Sequence, residues 1–306
     1  MPAKVKKRTK FSSPIKMQKF YLLLLVFSFS FLPLGVKGAM LYLSPLSGEY
    51  HQGDNFMTEV RLDTEGELIN TCEVNLNFSS NSLEVIDISN GGSILSLWPK
   101  IPIFSNSQRI ISFIGGIPGG FSGDGKLLSI IFQATTPASA EVNFQDSSKV
   151  LLNDGFGTPA KVTVQRAVFT ILAEKLEIPK DEWKEELEKD NIPPESFEIE
   201  ISKNPTIFEG KYFIVFSTID KQTGIDYYKV REGEREWKRG ESPYLLEDQS
   251  LRNKILVKAV DKADNERVAE ITPPYKITGK DIVILFVILI GILVIWWLIR
   301  KLKAKK

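Results

Sequence analysis

Asn70-Thr71-Cys72-Glu73-Val74-Asn75-Leu76-Asn77-Phe78 alternates polar and apolar residues without a break. A period of two puts Cys72, Val74, Leu76 and Phe78 on one face of an extended strand, and Thr71, Glu73, Asn75 and Asn77 on the other. Such a strand is dry on one side and wet on the other, the signature of an antiparallel sheet laid on a core. Cys72 falls in the dry set. As the only cysteine of the chain it can form no internal disulfide, and it reads as a packing residue.

Working outward from this strand, Leu83–Ile88, Arg109–Ile114, Leu127–Ala134, Ala140–Phe144 and Val162–Ile171 read as further short strands, separated by Gly, Asn, Ser and Pro. No window between residues 39 and 172 carries a helical period. The region is therefore expected to be one all-β sandwich, and its length is enough for a core of its own.

Composition changes at residue 173. Residues 173–196 hold nine acids, four lysines and three prolines. A short helix over Asp181–Lys189, with Glu185 and Lys189 four apart, is compatible with this stretch, but its composition reads foremost as a charged, semi-stiff spacer. Trp183 is a candidate for packing on a neighbouring domain. Strands return at Phe197–Ile201, Lys211–Ser217, Ile225–Val230 and Ile255–Val260, so residues 197–279 are expected to form a second, smaller sandwich.

The two ends differ in kind. Residues 1–38 carry eight basic residues and no acid, then an apolar run from Phe20 to Leu34 interrupted by serines and Pro33. That run is short for a membrane span, and small residues at Val36 and Gly38 suit cleavage before Ala39: a signal peptide. Ile282–Ile299 is 18 residues without a charge, and it ends in Trp296-Trp297 before Arg300, Lys301, Lys303, Lys305 and Lys306. It reads as a transmembrane helix over residues 280–299, with a basic cytoplasmic tail at 300–306 and the rest of the chain outside a cell. Between the two ends 26 basic residues face 38 acids, a net charge near −12, which argues against a nucleic-acid partner.

Catalytic and cofactor patterns are weak. Gly120-Phe121-Ser122-Gly123-Asp124-Gly125-Lys126-Leu127 misses the phosphate-loop pattern, because Leu127 cannot ligate magnesium and a strand follows where a helix is needed. His51 is the only histidine, no nucleophile motif accompanies it, and a surface-loop role is expected. One His and one Cys cannot make a structural zinc site. Asp261, Asp264 and Glu266 offer weak calcium ligation at most, against the reading of a solvated turn. No carboxylate pair stands out as a glycosidase centre. Trp98, in Leu97-Trp98-Pro99, is the one tryptophan of the first domain and a possible glycan contact, against the reading of a packed turn residue.

Several motifs in order resemble a cohesin module. They are Asn70–Val74 running on to Asn81-Ser82-Leu83-Glu84-Val85-Ile86, the turn Gly123-Asp124-Gly125 feeding Lys126–Phe132, and the closing Ala167-Val168-Phe169-Thr170-Ile171. The resemblance implies a jelly-roll sandwich related to cellulose-binding modules, using one sheet face to bind a dockerin-type protein. It implies that Thr71, Glu73 and Asn75, with Phe104 across the sheet, lie on that face. Gly115-Gly116-Ile117-Pro118 departs from the family, standing where cellulosomal cohesins carry an acidic, partner-contacting stretch. Gly224–Val230 and Val257–Glu266 resemble immunoglobulin-like or fibronectin type III-like modules of bacterial envelope proteins, which imply a spacer. The expected protein is a non-catalytic, surface-displayed binder of an extracellular protein. A polysaccharide-binding accessory module is the alternative.

Overall fold

A computed structural model describes residues 38–79, 81–273 and 279–303. The expected signal peptide lies outside the described residues, as does the end of the basic tail. Among the described residues the chain is mostly β-sheet with two α-helices.

The opening strand is found at Ile69–Phe78 (β4), with Cys72, Val74 and Leu76 fully buried and Thr71, Glu73 and Asn75 on the wet side. Before it come β1 (Ala39–Ser44), β2 (Ser47–His51) and β3 (Asn55–Asp63). After it come β5 (Leu83–Ser89), β6 (Leu97–Ser105), β7 (Ile110–Phe121), β8 (Asp124–Ala134), β9 (Ala138–Phe144), β10 (Lys149–Leu152), β11 (Val162–Gln165) and β12 (Ala167–Leu172). They form two sheets, one in the order β11-β1-β3-β8-β5, the other β2-β12-β9-β4-β7-β6 with β10 also on β4. Val162–Ile171, expected as one strand, is two. The break at Arg166 sends β11 to β1 and β12 to β2, both parallel, so the C-terminal strands close both sheets onto the N-terminal ones.

Between the sheets lie Leu41, Phe56, Phe113, Phe132 and Phe169, all fully buried. Tyr50 stacks on Phe56 with ring centroids 3.8 Å apart, and Phe169 meets Phe56 edge-on at 5.0 Å. Each such side chain contributes about 1.5–3 kcal/mol by leaving water. Gly115 shows how close the packing is: a Cβ there would sit 2.4 Å from Leu95.

Helix α1 (Glu182–Lys189) is capped by Asp181, whose side chain accepts from the Lys184 N–H. The acidic segment around it is not a free spacer. Lys180 N donates to Asp54 Oδ1 at 2.7 Å, Asn55 Nδ2 donates to Asp181 at 2.9 Å, and Met57 N donates to Glu182 at 3.0 Å, tying it to β3. Trp183 is buried. At its far end Asp190 accepts from the Thr223 hydroxyl at 2.6 Å.

Thr223 belongs to the second domain, whose strands are β13 (Ile199–Lys203), β14 (Tyr212–Phe216), β15 (Ile225–Glu232), β16 (Lys238–Arg239), β17 (Tyr244–Leu245), β18 (Ile255–Asp261) and β19 (Glu266–Ile271). A three-stranded sheet, β13-β14-β17, faces a four-stranded one, β16-β15-β18-β19, across Ile199, Ile214, Phe216, Val230 and Val257. The two domains touch directly. Ser89 Oγ donates to Thr223 O at 2.7 Å, Gly92 N to Asp220 O at 3.0 Å, and Lys262 to both oxygens of Asp87 at 2.7 and 2.8 Å.

Helix α2 (Gly279–Lys303) follows, with its apolar residues from Ile282 to Trp297 exposed on every side. Among the described side chains no helix is long and apolar enough to cross a membrane. Leu298 and Ile299, which complete the apolar run of the sequence, lie outside the described side chains.

Candidate functional site

The outward face of the larger sheet is set by strand register. Glu73 on β4 lies opposite Ile114 on β7 and Lys149 on β10, and Ile114 lies opposite Lys100 on β6. This gives one charged row across four strands: Lys100, Ile114, Glu73, Lys149. Beside it runs a small and apolar row of Leu97, Gly116, Thr71 and Leu151. On the other side run Ile103, Ser112 and Asn75. Rows on one face are about 7 Å apart and neighbouring strands about 4.8 Å, so the patch is about 15 Å wide.

Hydrogen bonds hold it. Lys100 Nζ donates to Ser112 Oγ at 2.7 Å, and Ser112 Oγ donates to Asn75 Oδ1 at 2.6 Å, a polar chain from the sheet edge to its centre. The Asn75 backbone is fixed by Ser148, whose Oγ accepts from Asn75 N and donates to Asn75 O, both at 3.1 Å. Leu97 and Ile103 stand exposed at 52% and 46% on the rim. Gly115–Pro118 lies inside β7, so no acidic side chain interrupts the rows there.

Thr71, Glu73 and Asn75 are thus brought together. Phe104 is not with them. A bulge in β6 between Lys100 and Ile103 shifts the register, and Phe104 pairs with Ile111, whose side chain points into the core. Phe104 therefore turns to the other side of β6, into a groove of about 660 Å³ between the two domains. Trp98 lines the same groove. It is half-buried in strand β6 rather than in a turn, with its ring 6.0 Å from Phe113, so no open platform is left on the outward face. Tyr227 and Arg239 line the opposite wall.

Cys72 sits beneath the patch, fully buried, and burial pushes its thiol up to about 12. His51 ends β2, half-buried, and its backbone N–H donates to Asp54.

The expected calcium group is divided. Asp264 is a turn residue at φ 64°, and Glu266 pairs with Lys258 at 2.6 Å. Asp261 meets instead two residues that sequence reading did not connect with it, Asp190 after α1 and Asp220 after β14. All three are buried, each offering an oxygen within 4.8 Å of the others. Asp261 Oδ1 accepts from the backbones of Ala263 and Asn265, and Asp220 Oδ1 from those of Gln222 and Gly224. Burial first, then the neighbouring carboxylates, raises the Asp261 pKa from its ordinary value. The donor set is all oxygen, the type that hard divalent cations take.

No protein-family model matches the chain, and no curated protein matches it. Its solved neighbours are cohesin domains. The non-cellulosomal cohesin from the hyperthermophilic archaeon Archaeoglobus fulgidus is 23% identical, over 44% of this chain and 91% of that one, with a TM-score of 0.38. A cohesin from a type I cohesin–dockerin complex of Clostridium thermocellum is 14% identical, over 44% and 94%, with a TM-score of 0.38. The seventh ScaB type I cohesin from Pseudobacteroides cellulosolvens is 16% identical, over 46% and 96%, with a TM-score of 0.37.

Proposed function

We propose that this chain is a non-catalytic recognition protein of the cell surface, whose first domain binds a separate extracellular protein through the outward face of β6, β7, β4 and β10. The observation that carries the reading is the preorganised patch itself. Its side chains are held by cross-strand register and by the Lys100–Ser112–Asn75 chain, so ordering them on binding costs little. It is an open strand face, which suits a protein surface better than a small molecule, and exposed Leu97 and Ile103 supply apolar rim contacts. A dockerin-type partner follows from the resemblance of the sequence motifs, with Glu73 and Asn75 at the centre of the contact.

In this reading residues 1–38 direct export and α2 anchors the chain, with its C-terminus inward. The support is its length of 25 residues, its apolar surface on all sides and the basic residues after Trp297. The second domain, immunoglobulin-like, together with the docked acidic segment, holds the first domain off the membrane. Removing residues 280–306 should release the protein into the medium, and its retention with membranes would sink the anchor.

The binding claim is tested by immobilising the protein and passing over it the secreted and surface proteins of the producing cell. One retained protein, lost on Glu73→Lys, supports the reading. Retention of polysaccharide alone, or capture indifferent to Glu73→Lys, overturns it.

A further inference from the structure

The outward face of the second domain's four-stranded sheet carries a row of like charges. Lys229 on β15 lies directly opposite Arg239 on β16 and directly opposite Lys258 on β18. Like charges in cross-strand register repel, with Cβ atoms only about 5 Å apart. Arg231, two residues along β15, adds a fourth cation on the same face. Among the described residues only Lys258 has a carboxylate partner, Glu266; Lys229, Arg231 and Arg239 have none, and the buried Nε of Arg231 has no acceptor. The acids of this sheet face, Glu266 and Glu270, stand apart on the edge strand β19, where they pair with Lys258 and Lys254.

Two rings hold the cations in place. Lys229 and Arg239 lie 5.2 and 4.7 Å from the centre of Tyr227, and Arg231 and Lys258 lie 4.8 and 5.1 Å from that of Trp237. With two cations set around each ring, the face is built to present charge rather than to stack a base or a sugar. In a region near −12 overall, this is a row of positive charge whose Tyr227–Arg239 end also borders the groove between the two domains.

We propose that this face docks on the phosphate-bearing headgroups of an anionic bilayer. Two features select a membrane surface over a soluble polyanion. The face combines cations with Trp and Tyr, and its sheet ends at Ile271, with seven residues between it and the apolar helix that starts at Gly279. Seven residues reach at most about 25 Å, so the domain stays close to whatever bilayer the helix enters. The proposal rests on the anchoring reading and adds an orientation to it: the cationic face turns towards the lipid, and the acidic first domain is repelled outward.

The test uses the full chain, floated with vesicles of neutral phosphatidylcholine or with one-third phosphatidylglycerol, and reads lysine acetylation by mass spectrometry. Labelling of Lys229 and Lys258 should fall about fivefold in anionic relative to neutral vesicles, with Lys149 as the unaffected reference. High salt, or Arg239→Gln with Arg231→Gln, should abolish the difference. Equal labelling in both vesicles overturns the proposal, as does protection by soluble polyphosphate in neutral vesicles. Flotation with neutral vesicles reports the helix alone, so a failed anchor is told apart from a failed face.

Discussion

Gly91→Ala tests whether the two sandwiches are one body. Gly91 follows β5 at the domain boundary, and a Cβ on it would lie 2.0 Å from the Gln222 carbonyl oxygen and 2.8 Å from Gly224 N. Ordinary contact begins near 3.4 Å, so the backbones must part by roughly 1.4 Å. Both sides are backbone and no side chain can swing aside. Parting them strains or breaks Ser89 Oγ→Thr223 O and Gly92 N→Asp220 O, each a net contribution of about 1 kcal/mol. It also loosens Lys262–Asp87, at most about 1 kcal/mol for side chains 15% and 32% exposed. The cost is capped near 3 kcal/mol, because the domains can separate rather than unfold. Calorimetry should show the cooperative transition drop by about 6–12 °C and split in two, and hydrogen exchange at Gly92 should accelerate. Gly155→Ala, at φ 78° with nothing within 4 Å, should cost about 1 kcal/mol without splitting the transition. A single, unshifted transition for Gly91→Ala would refute the rigid junction.

Other consequences are as specific. With its thiol buried and pushed to about 12, Cys72 should resist alkylation in the folded protein and react at once in denaturant; reaction at the free-thiol rate under native conditions refutes the packing assignment. Cys72→Ser, burying a hydroxyl among apolar neighbours, should cost about 1–3 kcal/mol in urea unfolding. Trp183→Ala should cost about 3–5 kcal/mol in the same assay, and an effect under 1 kcal/mol would mean that α1 is loosely held. Asp261, with a raised folded pKa, binds its proton more tightly folded than unfolded. Its contribution to stability is present below the unfolded value near 3.9 and is lost as pH rises through the folded value. Asp220→Asn keeps the oxygen that accepts from Gln222 and Gly224 while removing one neighbouring charge. With a chelator present, thermal unfolding should therefore show this variant gaining more at pH 7 than at pH 4; an equal or opposite change contradicts the assigned repulsion.

The first of the two sandwiches was legible mainly where one face is wet. β4 declared itself through its alternation, and the placement of Thr71, Glu73 and Asn75 on one face followed from the same period. β6 was not legible. Pro99 and Pro102 remove two backbone donors, which a central strand cannot lose but an edge strand tolerates, and they also blunt that edge against foreign strands. Phe104 was assigned to the wrong side for a related reason: the bulge after Lys100 changes the parity of the strand, and a bulge leaves no mark in polar–apolar alternation.

By itself the chain's order of residues determined its segmentation, its all-β character and the inward and outward faces of its regular strands, because these depend on local periodicity and composition. What only the tertiary structure decided are the meetings of distant residues. The acidic stretch read as a spacer because its charges are local, yet Asp54, far before it in the chain, and Thr223, after it, clamp it. Asp190, Asp220 and Asp261 come together although 71 positions separate the first from the last. The row Arg239–Lys229–Lys258 exists only because three strands align there. Register and domain docking are set by the free energy of the whole packed core, and no window of sequence contains it.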